Sequence, residues 1–374
     1  MPFALVSARP ADDPIAQFPF ARGHVEKMVP IPAHVSLGPW RVTWPARLML
    51  RPSPGLHVGG WMLEPDTPFD RLVAHVNGRE LGPCVPRRRT DLISAFPHIP
   101  HAAECGFRVV IPRAVARKGR LDVIGLARGR PVARMSTHFR DDLSRRVRTP
   151  PAELMLRVSA VQEPALFRAG GYKSYGELRD ALERHRPLET VRRLLDWGCG
   201  CGRVTVHWLH GRRRPQVFGC DVDRQAIAWC RAHLRGGVFA VTPFDPPTSY
   251  PDGYFDAITG YSVFSHLDRA AQRAWLVEMR RVLAPGGVFV ASVHGPAAAR
   301  FVFHRRTSQI LADGIHDKTV DPMLTGVLPE GAYRSTYQTE DYTRHVFGEY
   351  FEVVEYVERG IGNLQDLVVL RRPY

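Results

Sequence analysis

From Arg192 onward the sequence alternates short apolar runs with stretches of helical periodicity, and this alternation constrains the fold more than any other feature. Leu194–Trp197, Val217–Cys220, Val238–Val241, Phe255–Gly260 and Val288–Val293 read as strands. Val204–Leu209, Arg224–Leu234 and Arg269–Leu283 read as the helices between them. Strands joined through helices by short connections predict an α/β domain, a parallel sheet with helices on both faces. Phe351–Tyr356 and Leu367–Leu370 extend the pattern as a final strand pair, read as a hairpin on the same sheet. Ahead of it, Glu153–Val158 and Tyr175–Arg186 have helical spacing, with Ser174 as the cap expected for the second.

The first third differs in texture. His57–Leu63, Arg71–Val76, Phe107–Ile111, Leu121–Leu126 and Val132–Ser136 are strand-like, with earlier candidates at Val35–Trp44 and Arg47–Leu50. Asn77-Gly78 between strands is a strong hairpin signal because both turn residues need positive φ, and Arg128-Gly129 offers a second. Short strands with Pro/Gly punctuation and no long amphipathic helix predict an all-β, immunoglobulin-like sandwich over roughly residues 30–140. The expected division is an accessory domain over residues 1–145 and an α/β domain over 146–374, broken near Pro150-Pro151. At 374 residues the chain suits two domains.

Composition narrows the functional classes. No run approaches the ~18 apolar residues of a membrane helix, and the N-terminus lacks the charged and apolar regions of a signal peptide, so a cytoplasmic location is expected. The net charge of +14 comes from 47 arginines and only four lysines, a skew that suggests codon bias before it suggests a nucleic-acid partner. Two basic blocks, Arg87-Arg88-Arg89 and Arg212-Arg213-Arg214, each lie next to proline and read as solvated loops as readily as anion-steering patches. Six cysteines are too few for a disulfide scaffold. Cys199, Cys201, Cys220 and Cys230 cluster in sequence but lack metal-ligand spacing, so no metal is expected.

The chemistry concentrates in Asp196-Trp-Gly198-Cys199-Gly200-Cys-Gly202-Arg203, between an apolar strand and a helix. Open α/β sheets bind ligands at such a turn, and its glycines let backbone approach the ligand closely. Asp221 ends the next strand where a nucleoside ribose would present its hydroxyls. A dinucleotide site would need a third glycine at position 203 or 205, which hold Arg203 and Thr205. Asp196 would repel a pyrophosphate but suits a ligand bearing an ammonium and a sulfonium.

With these motifs the chain from about Pro150 resembles a class I S-adenosylmethionine-dependent methyltransferase. Asp196, Gly198, Gly200 and Gly202 match the first motif, and Asp221 the ribose-binding acid. Pro251-Asp-Gly-Tyr-Phe-Asp256 and Arg281-Val-Leu-Ala-Pro-Gly286-Gly287 match the segments entering the fourth and fifth strands. Ser262-Val-Phe-Ser-His266-Leu and Gln365-Asp366-Leu-Val-Val-Leu resemble a bacterial subfamily associated with glycan or natural-product assembly. The resemblance implies a Rossmann-like sheet and S-adenosylmethionine as cofactor, held by Asp196, Gly198, Cys199, Gly200, Gly202, Asp221, Val222, Thr242, Phe244 and Tyr261. Thr242-Pro-Phe244 departs from the family, which often has Asp or Asn there for the adenine amino group.

For a hydroxyl acceptor a general base is useful. His266, read as beginning the helix after the fourth strand, and His294, ending the fifth, are the catalytic candidates; each reads equally as a hydrogen-bonded structural histidine. Asp256 reads as structural. Tyr172-Lys173 and the Gly331–Tyr342 segment, with Tyr333, Tyr337 and Tyr342, read as a lid or as ordinary packing. The expected partner is a glycan or small-molecule acceptor, with homo-oligomerisation open. A nucleic-acid methyltransferase is the alternative, although Asp245-Pro246-Pro247 precedes the strand after which such enzymes carry their Pro-Pro motif. A scaffold with a vestigial domain is the non-enzymatic alternative.

Overall fold

The computed structural model describes residues 24–30, 55–63, 67–90, 92–93, 99–112, 114–140, 143–210, 215–303 and 306–374. The expected strands at 35–44 and 47–50 and the basic block at 212–214 lie outside them. The chain divides into two compact units, one holding residues 148–162 and 170–374, the other the preceding chain to Val147 with 163–169.

The described part of the smaller unit contains β1 (His24–Pro30), β2 (Gly55–Trp61), β3 (Arg71–Val76), β4 (Arg79–Pro83), β5 (Val85–Arg87), β6 (Gly106–Pro112), β7 (Lys118–Ala127) and β8 (Arg130–Arg140). They form two antiparallel four-stranded sheets, β1-β2-β6-β5 and β4-β3-β7-β8. Val58, Phe107 and Ile111 of the first sheet share one core with Leu121, Val123, Met135 and Phe139 of the second. Both expected two-residue turns are present: Asn77-Gly78 has φ of 52° and 82° and Arg128-Gly129 51° and 72°. β4 and β5 are short and largely polar, so the alternation of apolar residues that marks the other strands is missing from them. Asp122 is buried on β7, yet its carboxyl lies below its usual range, because Ser136 and the Arg134 and Arg120 guanidinium groups outweigh the burial.

The larger unit contains β9 (Arg193–Trp197), β10 (Gln216–Asp221), β11 (Gly237–Val241), β12 (Phe255–Gly260), β13 (Leu283–Val293), β14 (Ile315–Val320), β15 (Arg334–Gln338), β16 (Glu352–Ile361) and β17 (Gln365–Arg371). Seven form one sheet in the order β11-β10-β9-β12-β13-β17-β16. The first five are parallel, and β17 is antiparallel to both neighbours. The order reverses between β9 and β12, and open α/β sheets place ligands outside the strands' carboxyl ends at such a point. Because β17 runs backwards, its first residue arrives at the edge where β12 and β13 end; Asp366 pairs with Val293. The core beneath is aromatic, with Trp197, Phe218, Phe264, Trp275, Phe289 and Phe347 buried together.

Helices Arg224–His233 and Arg269–Val282 start where side chains can cap them. Asp223 and Asp268 each accept two backbone N–H groups of the first turn, which would otherwise lack partners. Two sequence expectations are corrected, at Ser174 and at His266. Ser174 is no cap; it is buried within a helix that runs from Pro164 to His185. That helix opens on proline, which suits a first turn because it lacks an N–H. The expected helix after the glycine turn is present, as the single turn Thr205–Trp208. His266 does not begin the long helix but closes a 3₁₀ turn, Phe264–His266, ahead of Asp268. Within the Gly331–Tyr342 stretch, Arg334–Gln338 pairs with β14 and Tyr342 belongs to helix Glu340–Gly348. Among the described residues no helix is long and apolar enough to cross a membrane.

Candidate active site

The glycine turn leaves β9 at the switch point. Gly198, Gly200 and Gly202 have φ of 71°, 52° and 78°, a region that costs L-residues with a Cβ. Space is as restrictive as conformation: a Cβ on Gly198 would lie 2.3 Å from Val263, on Gly200 2.6 Å from Val158, and on Gly202 2.3 Å from Leu234. The amides of Gly198 and Cys199 both donate to the Cys220 carbonyl, stitching the turn to β10.

Asp221 closes the arrangement. One carboxylate oxygen accepts the Gly200 amide at 2.7 Å and the other the Asp223 amide at 2.8 Å. Burial raises its pKa, offset in part by these N–H donors. The Val222 amide also acts on the carboxylate, which keeps acceptor capacity for a ligand hydroxyl. Val222 follows it in the same turn, and the Thr242 amide donates to the Asp221 carbonyl. The Phe244 carbonyl accepts the Trp275 indole N–H at 3.0 Å, and its ring packs against the aromatic core.

Asp196 is buried, with its two oxygens accepting the hydroxyls of Thr205 (2.6 Å) and Thr259 (3.0 Å). Burial pushes its carboxyl up to about 6. Its neighbours tie β9 to β12 and to the turn's short helix, so the side chain holds the turn in place. Arg203, which the sequence reading passed over as a site residue, stands beside it. Its Nε is buried without a hydrogen-bond partner, and its guanidinium lies 5.4 Å from the Tyr261 ring centroid. The donor set fits S-adenosylmethionine: a carboxylate for a ribose diol, an unsatisfied arginine N–H for an amino-acid carboxylate, and a buried acid whose ionised form a nearby cation favours.

The buried cysteines bear on the metal question. Burial pushes the thiols of Cys201 and Cys220 well above their usual value. Among the described residues no group of three or more His, Cys, Asp and Glu side chains is disposed to hold a metal.

The second part of the edge gathers His266 and His294, with ring centroids 5.9 Å apart. His266 Nδ1 lies 2.8 Å from the Arg334 carbonyl, which can only accept, so Nδ1 carries the proton and Nε2 keeps its lone pair. Asp321 lies 3.8 Å from Nδ1, and the Tyr333 ring stacks on the imidazole at 4.2 Å. Burial lowers His266 to about 4 despite Asp321, so the ring is neutral at physiological pH. It is therefore a weaker base than a solvent-exposed histidine. Burial and the neighbouring His266 lower His294 as well, and Tyr337 stacks on it at 5.1 Å. Ser262, Ser292 and Gln365 lie between the two rings. Ser262 has φ of 59°, uncommon for a residue with a side chain, and its amide donates to Ser292 Oγ. The sequence reading singled out the segments holding Ser262 and Gln365 by resemblance but assigned them no role.

The other candidates have structural partners. Asp256 accepts the Arg192 and Arg193 amides, and Lys173 pairs with Glu177 on its own helix.

The sheet order is that of a Rossmann-like α/β domain, with the glycine turn and the acid at the end of β10 meeting at its switch point. Residues 195–291 match the family model described as a methyltransferase domain. Over 106 residues the chain is 35% identical to a "Probable S-adenosylmethionine-dependent methyltransferase" of Mycolicibacterium smegmatis, covering 27% of this chain. The chain spans 37% of the length of that relative. Solved structures of S-adenosylmethionine-dependent methyltransferases from Mesorhizobium loti and Methanosarcina mazei each align with 52% of this chain at 18% identity. They are covered over 98% and 97% of their lengths, with TM-scores of 0.37 and 0.40.

Proposed function

We propose that this protein transfers a methyl group from S-adenosylmethionine to a hydroxyl of a glycan or small molecule, with His266 as the general base. The observation that carries the reading is the neutral His266 ring, its Nδ1 proton held by the Arg334 carbonyl and its Nε2 lone pair at the carboxyl edge of the sheet.

In this reading Gly198, Cys199, Gly200 and Gly202 supply backbone at close approach, Asp221 takes the ribose hydroxyls, and Val222, Thr242 and Phe244 border the adenine. Tyr261 and Arg203 meet the methionine end, with Asp196 behind the turn. The bound cofactor supplies an activated methyl on a sulfonium, so alignment accounts for much of the acceleration. His266 Nε2 takes the hydroxyl proton as the new C–O bond forms. Asp321 stabilises the imidazolium, offsetting part of what burial costs the base. Tyr333 and Tyr337 supply aromatic faces for a sugar or an apolar acceptor. The N-terminal unit is read as an immunoglobulin-like sandwich that recognises the acceptor, within a domain division near residue 145.

Calorimetry with S-adenosylmethionine tests the cofactor half directly. A panel of hydroxyl acceptors, assayed with wild type and His266→Ala, tests the rest. Absence of cofactor binding at millimolar concentration would sink the reading. Methylated nucleic acid, with binding that falls steeply as salt rises, would replace the acceptor class.

A further inference from the structure

Gln365 is buried at the start of β17, where strand reversal brings it beside His294. Its Oε1 accepts the Ser292 hydroxyl at 2.7 Å, and its Nε2 donates to Ser262 Oγ at 2.8 Å and faces His294 Nε2 at 3.2 Å. Ser292 Oγ also accepts the Ser262 amide, so its own hydrogen is free to go to Gln365. With that donation the amide's NH₂ group faces Ser262 and His294. An N–H pointing at His294 Nε2 requires a lone pair there, so the His294 ring proton belongs on Nδ1, which is buried on the side of the Thr336 backbone but makes no full hydrogen bond. Ser262 Oγ, accepting from Gln365, has one hydrogen left, with Ser265 Oγ at 3.1 Å and His266 Nε2 at 3.4 Å.

We propose that Gln365 is a positioning residue that holds His294 in its Nδ1–H tautomer and fixes the Ser262 side chain beside His266. Its effect on turnover rests on the methyl-transfer reading above; its effect on the tautomer rests on the hydrogen-bond geometry alone. The amide makes both connections without adding charge to a buried cluster. Among the described residues, the ionisable groups beside the two rings include Asp321 at His266 and the phenols of Tyr333 and Tyr337, with Asp366 next to Gln365. The Asp366 carboxylate lies against Gly295 and accepts the Tyr356 hydroxyl and the Arg359 amide. A carboxylate in place of the Gln365 amide would offer His294 an acceptor where it now meets a donor, and would draw a proton onto Nε2.

Gln365→Glu makes that exchange at nearly constant volume and keeps an oxygen for Ser292. In the full-length wild type at neutral pH, histidine ring ¹⁵N spectra should show His294 protonated on Nδ1 and bare on Nε2. In Gln365→Glu the His294 proton should appear on Nε2 or on both nitrogens. Turnover should fall by roughly 10–100-fold with the KM for S-adenosylmethionine unchanged, and the acidic limb of the kcat profile should move to higher pH. Gln365→Met, which removes the donors without adding charge, should loosen the tautomer preference but leave that limb in place; it also serves should the Glu variant fail to fold. A wild-type His294 carrying its proton on Nε2, or a ¹⁵N pattern unchanged in both variants, overturns the proposal. A changed tautomer with unaltered kcat and pH profile overturns its catalytic part. The expected tautomer shift in a protein that binds no S-adenosylmethionine upholds the positioning role and defeats the methyl-transfer reading instead.

Discussion

At the β9–β10 end of the sheet the candidate site is made of backbone. Amides of Gly198, Cys199 and Gly200, three left-handed glycines and one carboxylate do the holding, and all but Asp221 fall within a few consecutive residues. At the β12–β13–β17 end it is made of side chains: Ser262, His266, Ser292, His294 and Gln365 come from segments up to a hundred residues apart. The backbone end suits a fixed ligand, because a turn without Cβ atoms has one shape and little choice. The side-chain end can be altered one residue at a time without moving the strands beneath it. A conserved nucleotide-like ligand and a variable acceptor would call for that division of labour.

Four measurements would break or sharpen the contrast. The largest effect is expected at the side-chain end: His266→Ala should lower kcat by roughly 10²–10⁴-fold with cofactor affinity nearly unchanged. His294→Ala should cost less, because its Nε2 is turned toward Gln365. Near-normal turnover in His266→Ala, with chemistry rate-limiting, would leave alignment as the whole mechanism. At the backbone end, Asp221→Ala should weaken S-adenosylmethionine binding by roughly 1–3 kcal/mol in calorimetry and leave kcat at saturation almost intact. Equal losses in kcat and affinity for both variants would erase the distinction between the two ends.

Gly198→Ala should act on the fold before it acts on chemistry. The left-handed backbone and the clash with Val263 together should cost about 1–3 kcal/mol in urea unfolding. The smallest effect is a pH slope. His266 has its folded pKa depressed from 6.5 to about 4, so the folded state takes up fewer protons than the unfolded chain in that window. The stability it contributes is complete above pH 6.5 and is lost as pH falls toward 4. Asp196 and Asp366, both raised to about 6, act in the opposite sense: the folded state holds more protons, and their contribution grows as pH falls from 6. The comparison is therefore between wild type and His266→Gln, whose unfolding free energy should fall less between pH 7 and pH 5. Parallel curves would place the histidine in a more solvated setting than the one described.

What the sequence made legible follows the same divide. The parallel strands could be read from their apolar runs, and the glycine turn from spacing alone, because both are local patterns with one structural solution. The sequence predicts a helix start at His266, but that residue closes a 3₁₀ turn and the helix begins after Asp268, whose side chain accepts the first-turn amides. Ser174 reads as a cap because it directly precedes the Tyr175–Arg186 periodicity; in the structure it is buried inside a helix that starts ten residues earlier, at Pro164. Arg203 was counted as a missing glycine rather than a present cation. Gln365 carried no local sign of its partners, which depend on β17 running antiparallel, and pairing direction is a property of the assembled sheet.

Trp197 ends β9 immediately before Gly198, with its indole 5.0 Å from that of Trp275 and 5.1 Å from the ring of Phe264. Two indoles this close couple their electronic transitions, and a tilt of 41° between their planes makes the coupling optically active. The hinge of the ligand turn thus carries a built-in chromophore pair. Stopped-flow circular dichroism in the indole bands could follow the turn's response to a ligand without any label, in the intact chain and on the timescale of binding.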